Sequence, residues 1–173
     1  MPFNLLKKYP EFLDLEAYSV QDRTDSLRKI YKRDIENYDL FFRSSRIYPT
    51  KNESDGSSFD THFTHLTTKE FDETDENGKI VRKRSFDILR SKRLHWVKSH
   101  IEELTGESDT LVFSNDYPSV RTYIWNKKES YVVILEPQRK PGNYYLLTAF
   151  YVDDKKTKNQ LQSKYKNRLT DIK

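Results

Sequence analysis

The sequence predicts an α+β protein, with N-terminal helices packed on a four-stranded antiparallel sheet and a helix at the C-terminus. Three observations carry that expectation. Apolar residues recur at three-and-four spacing over 22–48 and 85–104, the period of a helix with one buried face. After Gly106 the period drops to two over four β-rich runs, as in half-buried strands. The connections between those runs are short, which favours an antiparallel meander.

The first helix is expected from Asp22 to about Tyr48, with Leu27, Ile30, Tyr31, Ile35, Tyr38, Phe41 and Phe42 as its apolar face. Thr24 or Asp25 would cap it and Pro49 would end it. Ahead of it, Phe3, Leu5, Leu6, Phe12, Leu13 and Leu15 suit a short helical turn or two. The polar stretch 51–58 (KNESDGSS) reads as a loop. Phe59, Phe63, Leu66 and Phe71 then mark an apolar segment carrying His62 and His65, and Asn77-Gly78 signals a turn.

The second helix is expected over Ser85–Leu104, with Phe86, Leu89, Leu94, Val97, Ile101 and Leu104 inward and Gly106 just past its end. The strand runs are 111–113, 120–125, 131–135 and 144–152. In the last, alternation would place Tyr144, Leu146, Thr148 and Phe150 on one face and Tyr145, Leu147, Ala149 and Tyr151 on the other. A lysine-rich helix from Lys155 to about Leu169 closes the chain. Residues 1–50 read as a helical segment and 51–173 as the sheet-bearing domain, the two joined in one compact unit. With helices on one sheet face, the other face would be left for a ligand.

Composition narrows the function. The 173 residues are 35% hydrophobic, but Phe 10, Tyr 12 and Trp 2 supply bulky core material. There is no cysteine, which excludes a disulfide framework, a thiolate nucleophile and a cysteine-based zinc site. The N-terminus lacks the apolar core of a secretion signal. No run has the ~20 apolar residues of a membrane span. A cytoplasmic protein is the expectation.

Charge is unevenly placed. Residues 79–173 hold 20 Lys and Arg against 11 Asp and Glu, a net of +9, whereas residues 1–78 carry a net of −5. A basic half points to a polyanion, and to nucleic acid first. Arg90 and Arg93, three apart, can offer two guanidinium forks to one phosphate, with Lys98 further along. His62-x-x-His65 admits two uses. Two imidazoles can share a metal, although no third ligand with zinc spacing is present, or one of them can move protons near neutral pH.

Three stretches taken in order resemble the barnase/EndoU/colicin/RelE-like superfamily of small ribonucleases, especially its phage, mobile-element and toxin branches. They are Phe63-Thr64-His65-Leu66; Phe86 through Trp96 (FDILRSKRLHW); and Tyr131–Leu135 followed by Tyr144–Phe150 with its Leu-Thr-Ala-aromatic ending. The resemblance implies RNA cleavage without metal or cofactor, by attack of the ribose 2′-hydroxyl to give a 2′,3′-cyclic phosphate. It implies His65 as acid or base, Arg93 with Arg90 on the scissile phosphate, and Thr148 bonded to a phosphate oxygen or the 2′-hydroxyl. No glutamate base is evident, and His62, Tyr131 and Lys164 are the open choices for the second proton-transfer group. The expected partners are RNA (tRNA, mRNA or rRNA) and an acidic antitoxin or immunity protein over the arginines. A non-catalytic nucleic-acid-binding module and a phage structural or interaction protein are the alternatives.

Overall fold

In the computed structural model, which describes residues 2–49, 56–106, 108–139 and 142–173, a short helix α1 (Pro2–Leu6) precedes α2 (Val20–Tyr31). Ser19 caps α2 by accepting the Asp22 N–H at 3.1 Å. Thr24, an expected cap, instead turns its hydroxyl back to the Val20 carbonyl. Leu27, Ile30 and Tyr31 form the buried stripe. The helix widens into a π-helical turn at Lys32–Glu36 and ends at Asn37.

The remainder of the expected helix is a hairpin of β1 (Leu40–Phe42) and β2 (Ser45–Tyr48). Arg43 takes a positive φ of 55° in its turn. Leu40 and Phe42 point inward and Phe41 outward. Leu40, Phe41 and Phe42 satisfy a two-residue period as well as a helical one, and pairing with the sheet decides between them.

α3 (Gly56–Thr67) carries both histidines. Most of the expected 51–58 loop lies outside the described residues; 56–58 belong to this helix. A separate two-stranded ribbon follows, β3 (Thr68–Thr74) and β4 (Ile80–Phe86). The expected turn closes it: Asp75 Oδ1 accepts the N–H groups of Asn77 and Lys79, and Gly78 adopts φ 76°. The 85–104 helix is broken. Residues 80–86 extend because they pair with β3, with Arg84 opposite Glu70 and Arg82 opposite Asp72. Asp87 then caps α4 (Ile88–Ser91), and α5 (Trp96–Ile101) follows after a turn.

β5 (Thr110–Asn115), β6 (Arg121–Asn126), β7 (Tyr131–Pro137) and β8 (Asn143–Tyr151) form an antiparallel meander, and α6 (Lys155–Lys166) ends the chain's regular structure. The protein is α+β, but the sheet is not the expected four-stranded antiparallel one. It has six strands in the order β1-β2-β8-β7-β6-β5, and it is mixed, because β2 runs parallel to β8. The helices are also interleaved with the strands rather than gathered at the N-terminus. The meander's outer strand β8 has an open edge, and the β1–β2 hairpin covers its first residues, with Ile47 opposite Tyr144.

A bulge between Ile134 and Leu135 overturns the simple alternation expected for β8. Tyr144, Leu146 and Ala149 all enter the larger core, while Thr148 stands opposite Ile134 and Phe150 opposite Val132. Nor is either sheet face left bare. The larger core, with Tyr31, Leu66, Trp96, Ile101, Tyr131 and Leu135, lies under α2, α3 and α5. A smaller one, with Phe113, Tyr123, Trp125, Val132 and Leu161, lies under α6. Among the described residues no helix is long and apolar enough to cross a membrane.

Trp96 organises the larger core. It is fully buried, contacts the rings of Tyr9, Phe12, His100 and Tyr131, and donates its indole N–H to the Glu11 carbonyl at 3.0 Å. Trp96→Ala should lower the unfolding free energy by about 3–5 kcal/mol in urea titrations. A loss below about 1 kcal/mol would contradict this packing.

Candidate functional site

α3 turns its two histidines to different tasks. His62 is buried. Its Nε2 donates to the Leu146 carbonyl at 3.0 Å, which leaves Nδ1 to accept the Tyr31 hydroxyl at 2.8 Å. Burial holds its pKa down at about 4, against which the Leu146 carbonyl works. The ring is therefore neutral at pH 7 and ties α2 and α3 to β8. Among the described residues, no three His, Cys, Asp or Glu side chains are grouped to hold a metal ion.

His65, one turn on, is exposed, and its ring makes no hydrogen bond to another described residue. Partial desolvation pulls its pKa below the usual imidazole value; the Arg84 and Arg90 charges add to this and Glu70 opposes it. Its main-chain carbonyl accepts Arg90 Nη1 at 2.7 Å. The expected imidazole and guanidinium are thus joined through one peptide group.

Arg90 lies 5.4 Å from the Phe150 ring centre. Arg93 is only 6% exposed and is wedged among aromatic rings, 4.1 Å from Tyr151, 4.6 Å from Phe12 and 5.2 Å from Trp96. Its Nη1 donates to the Leu89 carbonyl at 2.6 Å. The Nε of each arginine is buried without a hydrogen-bond partner. Among the described residues neither has a carboxylate within 4.0 Å. Burial lowers both pKa values; Asp87 and Asp153 partly offset this at Arg90, and Tyr151, Tyr131, Glu129 and Asp87 at Arg93. Desolvated charge without a close counter-charge is costly, and an incoming anion would relieve that cost.

Thr148 lies between Leu146 and Phe150 on β8, but it pairs with Ile134 and so shares the sheet face under α6, away from α3. Its hydroxyl bonds to no other described residue. The other expected residues are placed differently. Tyr131 is 1% exposed, with its hydroxyl 3.5 Å from the Arg93 carbonyl; burial raises its pKa, and the ring belongs to the core. Lys98 lies 3.3 Å from the Tyr38 ring centre, in a 600 Å³ cleft with Leu6, Arg33 and His95 whose lining includes neither His65 nor Arg90. Lys164 is on α6, donating to the Tyr117 carbonyl at 2.6 Å.

Sequence reasoning missed Arg84 and Glu70. Arg84 donates from Nε to Thr68 Oγ1 at 2.8 Å and from Nη1 to Glu70 Oε1 at 2.5 Å. The pair brings a third guanidinium and a carboxylate to the His65 end of α3. The available signal was the Asn77-Gly78 turn between two short runs, with the acidic 70–73 stretch (EFDE) on one side and the basic 82–84 stretch (RKR) on the other, which suits an antiparallel hairpin of opposite charges.

Two effects of His62 are measurable. Its folded-state pKa, about 4, lies below the ordinary 6.5, so the unfolded chain takes the proton first. The stabilisation is complete above pH 6.5 and fades as pH falls toward 4, by about 3 kcal/mol at most. His95, held down at about 4 by burial, acts in the same window. Urea midpoints should fall over that range, and a flat profile would contradict neutral buried rings. His62→Ala should cost about 2–4 kcal/mol, since it strands the Tyr31 hydroxyl and the Leu146 carbonyl.

Comparison of the chain with protein-family models, with curated proteins and with solved structures gave no match.

Proposed function

We propose that the protein is a metal-independent endoribonuclease whose site is built from His65, Arg90 and Arg93. The supporting observation is the pair of largely desolvated guanidiniums lacking a carboxylate partner, one of them bonded to the backbone of an exposed imidazole. Guanidinium groups in that state favour a phosphate, whose oxygens match their fork geometry.

In this reading Arg90 and Arg93 hold the scissile phosphate and stabilise the charge that grows on it. His65, kept neutral by its lowered pKa, takes the proton of the ribose 2′-hydroxyl. The 2′-oxygen bonds to phosphorus as the bond to the 5′-oxygen breaks, and the departing 5′-oxygen takes a proton from solvent. A 2′,3′-cyclic phosphate and a free 5′-hydroxyl result. The arginine face suits an acidic inhibitor protein, as expected of a toxin or mobile-element effector acting in the cytoplasm. The reading rests on these side chains and not on a shared sheet architecture.

The test is incubation of the purified protein with total RNA in EDTA, followed by analysis of the 3′ ends. Cleavage should persist and leave cyclic phosphates. His65→Gln should lose about 10²–10⁴-fold in turnover while keeping RNA affinity, whereas Arg90→Ala should weaken both. The acid limb of kcat/KM should lie below pH 6.5, the usual imidazole value. RNA binding without cleavage in the wild-type protein would reassign the site to a binding module, and cleavage abolished by EDTA would refute the metal-free mechanism.

A further inference from the structure

The far side of the sheet from α3 and α5 is covered by α6, and α6 is chemically one-sided. Its sequence, KKTKNQLQSKYK, holds five lysines and no carboxylate. Leu161 is buried and Tyr165 packs against Phe113, which fixes the inward face. Asn115 Nδ2 anchors the helix's far end by donating to the Lys164 and Asn167 carbonyls. Lys155, Lys156, Lys158, Asn159, Gln160, Ser163 and Lys166 are left exposed. None of these lysines forms an ion pair with a described residue.

The placement runs against helix physics. Lys155, Lys156 and Lys158 occupy the first turn, where the positive end of the helix dipole favours carboxylates and disfavours cations. Asp154, the cap, spends its two oxygens on the Thr157 N–H and hydroxyl at 2.7 Å each, and Asp153 is drawn to Lys69. Three lysines and no carboxylate in the first turn are a local electrostatic cost, and none of the three has an ion-pair partner among the described residues.

We infer that the exposed face of α6 is a second RNA-binding surface, an exosite that tracks the phosphate backbone on the opposite side of the sheet from the His65–Arg90 site. Lysine, asparagine, glutamine and serine side chains are the groups that contact phosphate and sugar oxygens. At the α6 C-terminal end, Lys164 donates to the carbonyl of Tyr117, a residue 78% exposed whose ring centre lies 6.0 Å from the Lys164 ammonium; so exposed a ring can stack on a base. The exosite rests on the reading of the protein as an RNA enzyme, and it adds that RNA long enough to reach both faces binds more tightly than RNA that reaches only one.

The test uses the full chain with Lys155→Glu and Lys156→Glu combined. Carboxylates in the first turn suit the dipole, so Tm should hold or rise. Affinity for a single-stranded RNA oligonucleotide should fall roughly tenfold or more at low salt, and the slope of log K against log salt should flatten by about 0.7 per lost contact. Turnover of a dinucleoside monophosphate, too short to span both faces, should stay at the wild-type level. Unchanged oligonucleotide affinity and salt slope would overturn the exosite. A wild-type protein that binds the oligonucleotide, with the double variant weakened as stated, but cleaves neither the oligonucleotide nor total RNA would sink the nuclease reading and leave the α6 face as an RNA-binding surface, so the two failures are distinct.

Discussion

The buried imidazole of His62 is the constraint on which the rest of the site depends. β8 gains partners from β7 along its length but from β2 only at residues 143–145. Past that point its outer edge needs another cover, because unpaired strand carbonyls are costly when buried. His62 supplies it by donating to Leu146, and Tyr31 completes the ring's valence. One neutral side chain therefore fixes α3 against the strand edge, and the bonds of Asp87 N–H and Ser91 Oγ to the Thr67 carbonyl hold the end of α3 beside Arg90. Burial away from water disfavours the charged ring and drives its pKa low.

The arginines work on the opposite principle. Arg93 is held by ring faces and one carbonyl rather than by a carboxylate. Aromatic faces attract a cation but do not neutralise it. Each guanidinium commits Nη1 to a carbonyl and leaves its Nε buried and unpaired. Arg84 behaves differently, since Glu70 answers it directly. The contrast separates guanidiniums that stabilise the ribbon from those open to a ligand.

Much of the meander was legible in the sequence, because two-residue alternation and short turns are local signals, and so was α6, whose polar face is continuous. The Asn77-Gly78 turn was legible too. What failed was non-local. Phe41 and Phe42 fit a helical stripe or a strand, and only pairing of β2 with β8, almost a hundred residues on in the chain, decides between them. Residues 85–104 carry a helical pattern, but Ser85 and Phe86 are claimed by β3. The bulge at Leu135 reassigned Ala149 and Thr148 to other faces, and alternation has no means of foreseeing an inserted residue. His62 and His65 look alike at three-residue spacing; burial alone tells the structural ring from the exposed one.

The central claim is that His65, Arg90 and Arg93 form one anion site. It is tested most directly by following the imidazole and guanidinium NMR signals during titration with a nucleoside 3′-monophosphate. The account predicts saturable shifts at His65, Arg90 and Arg93 together, with the His65 pKa rising as the phosphate binds beside it. Silence at those three residues, with shifts confined to the cleft around Lys98 and Tyr38, would contradict it.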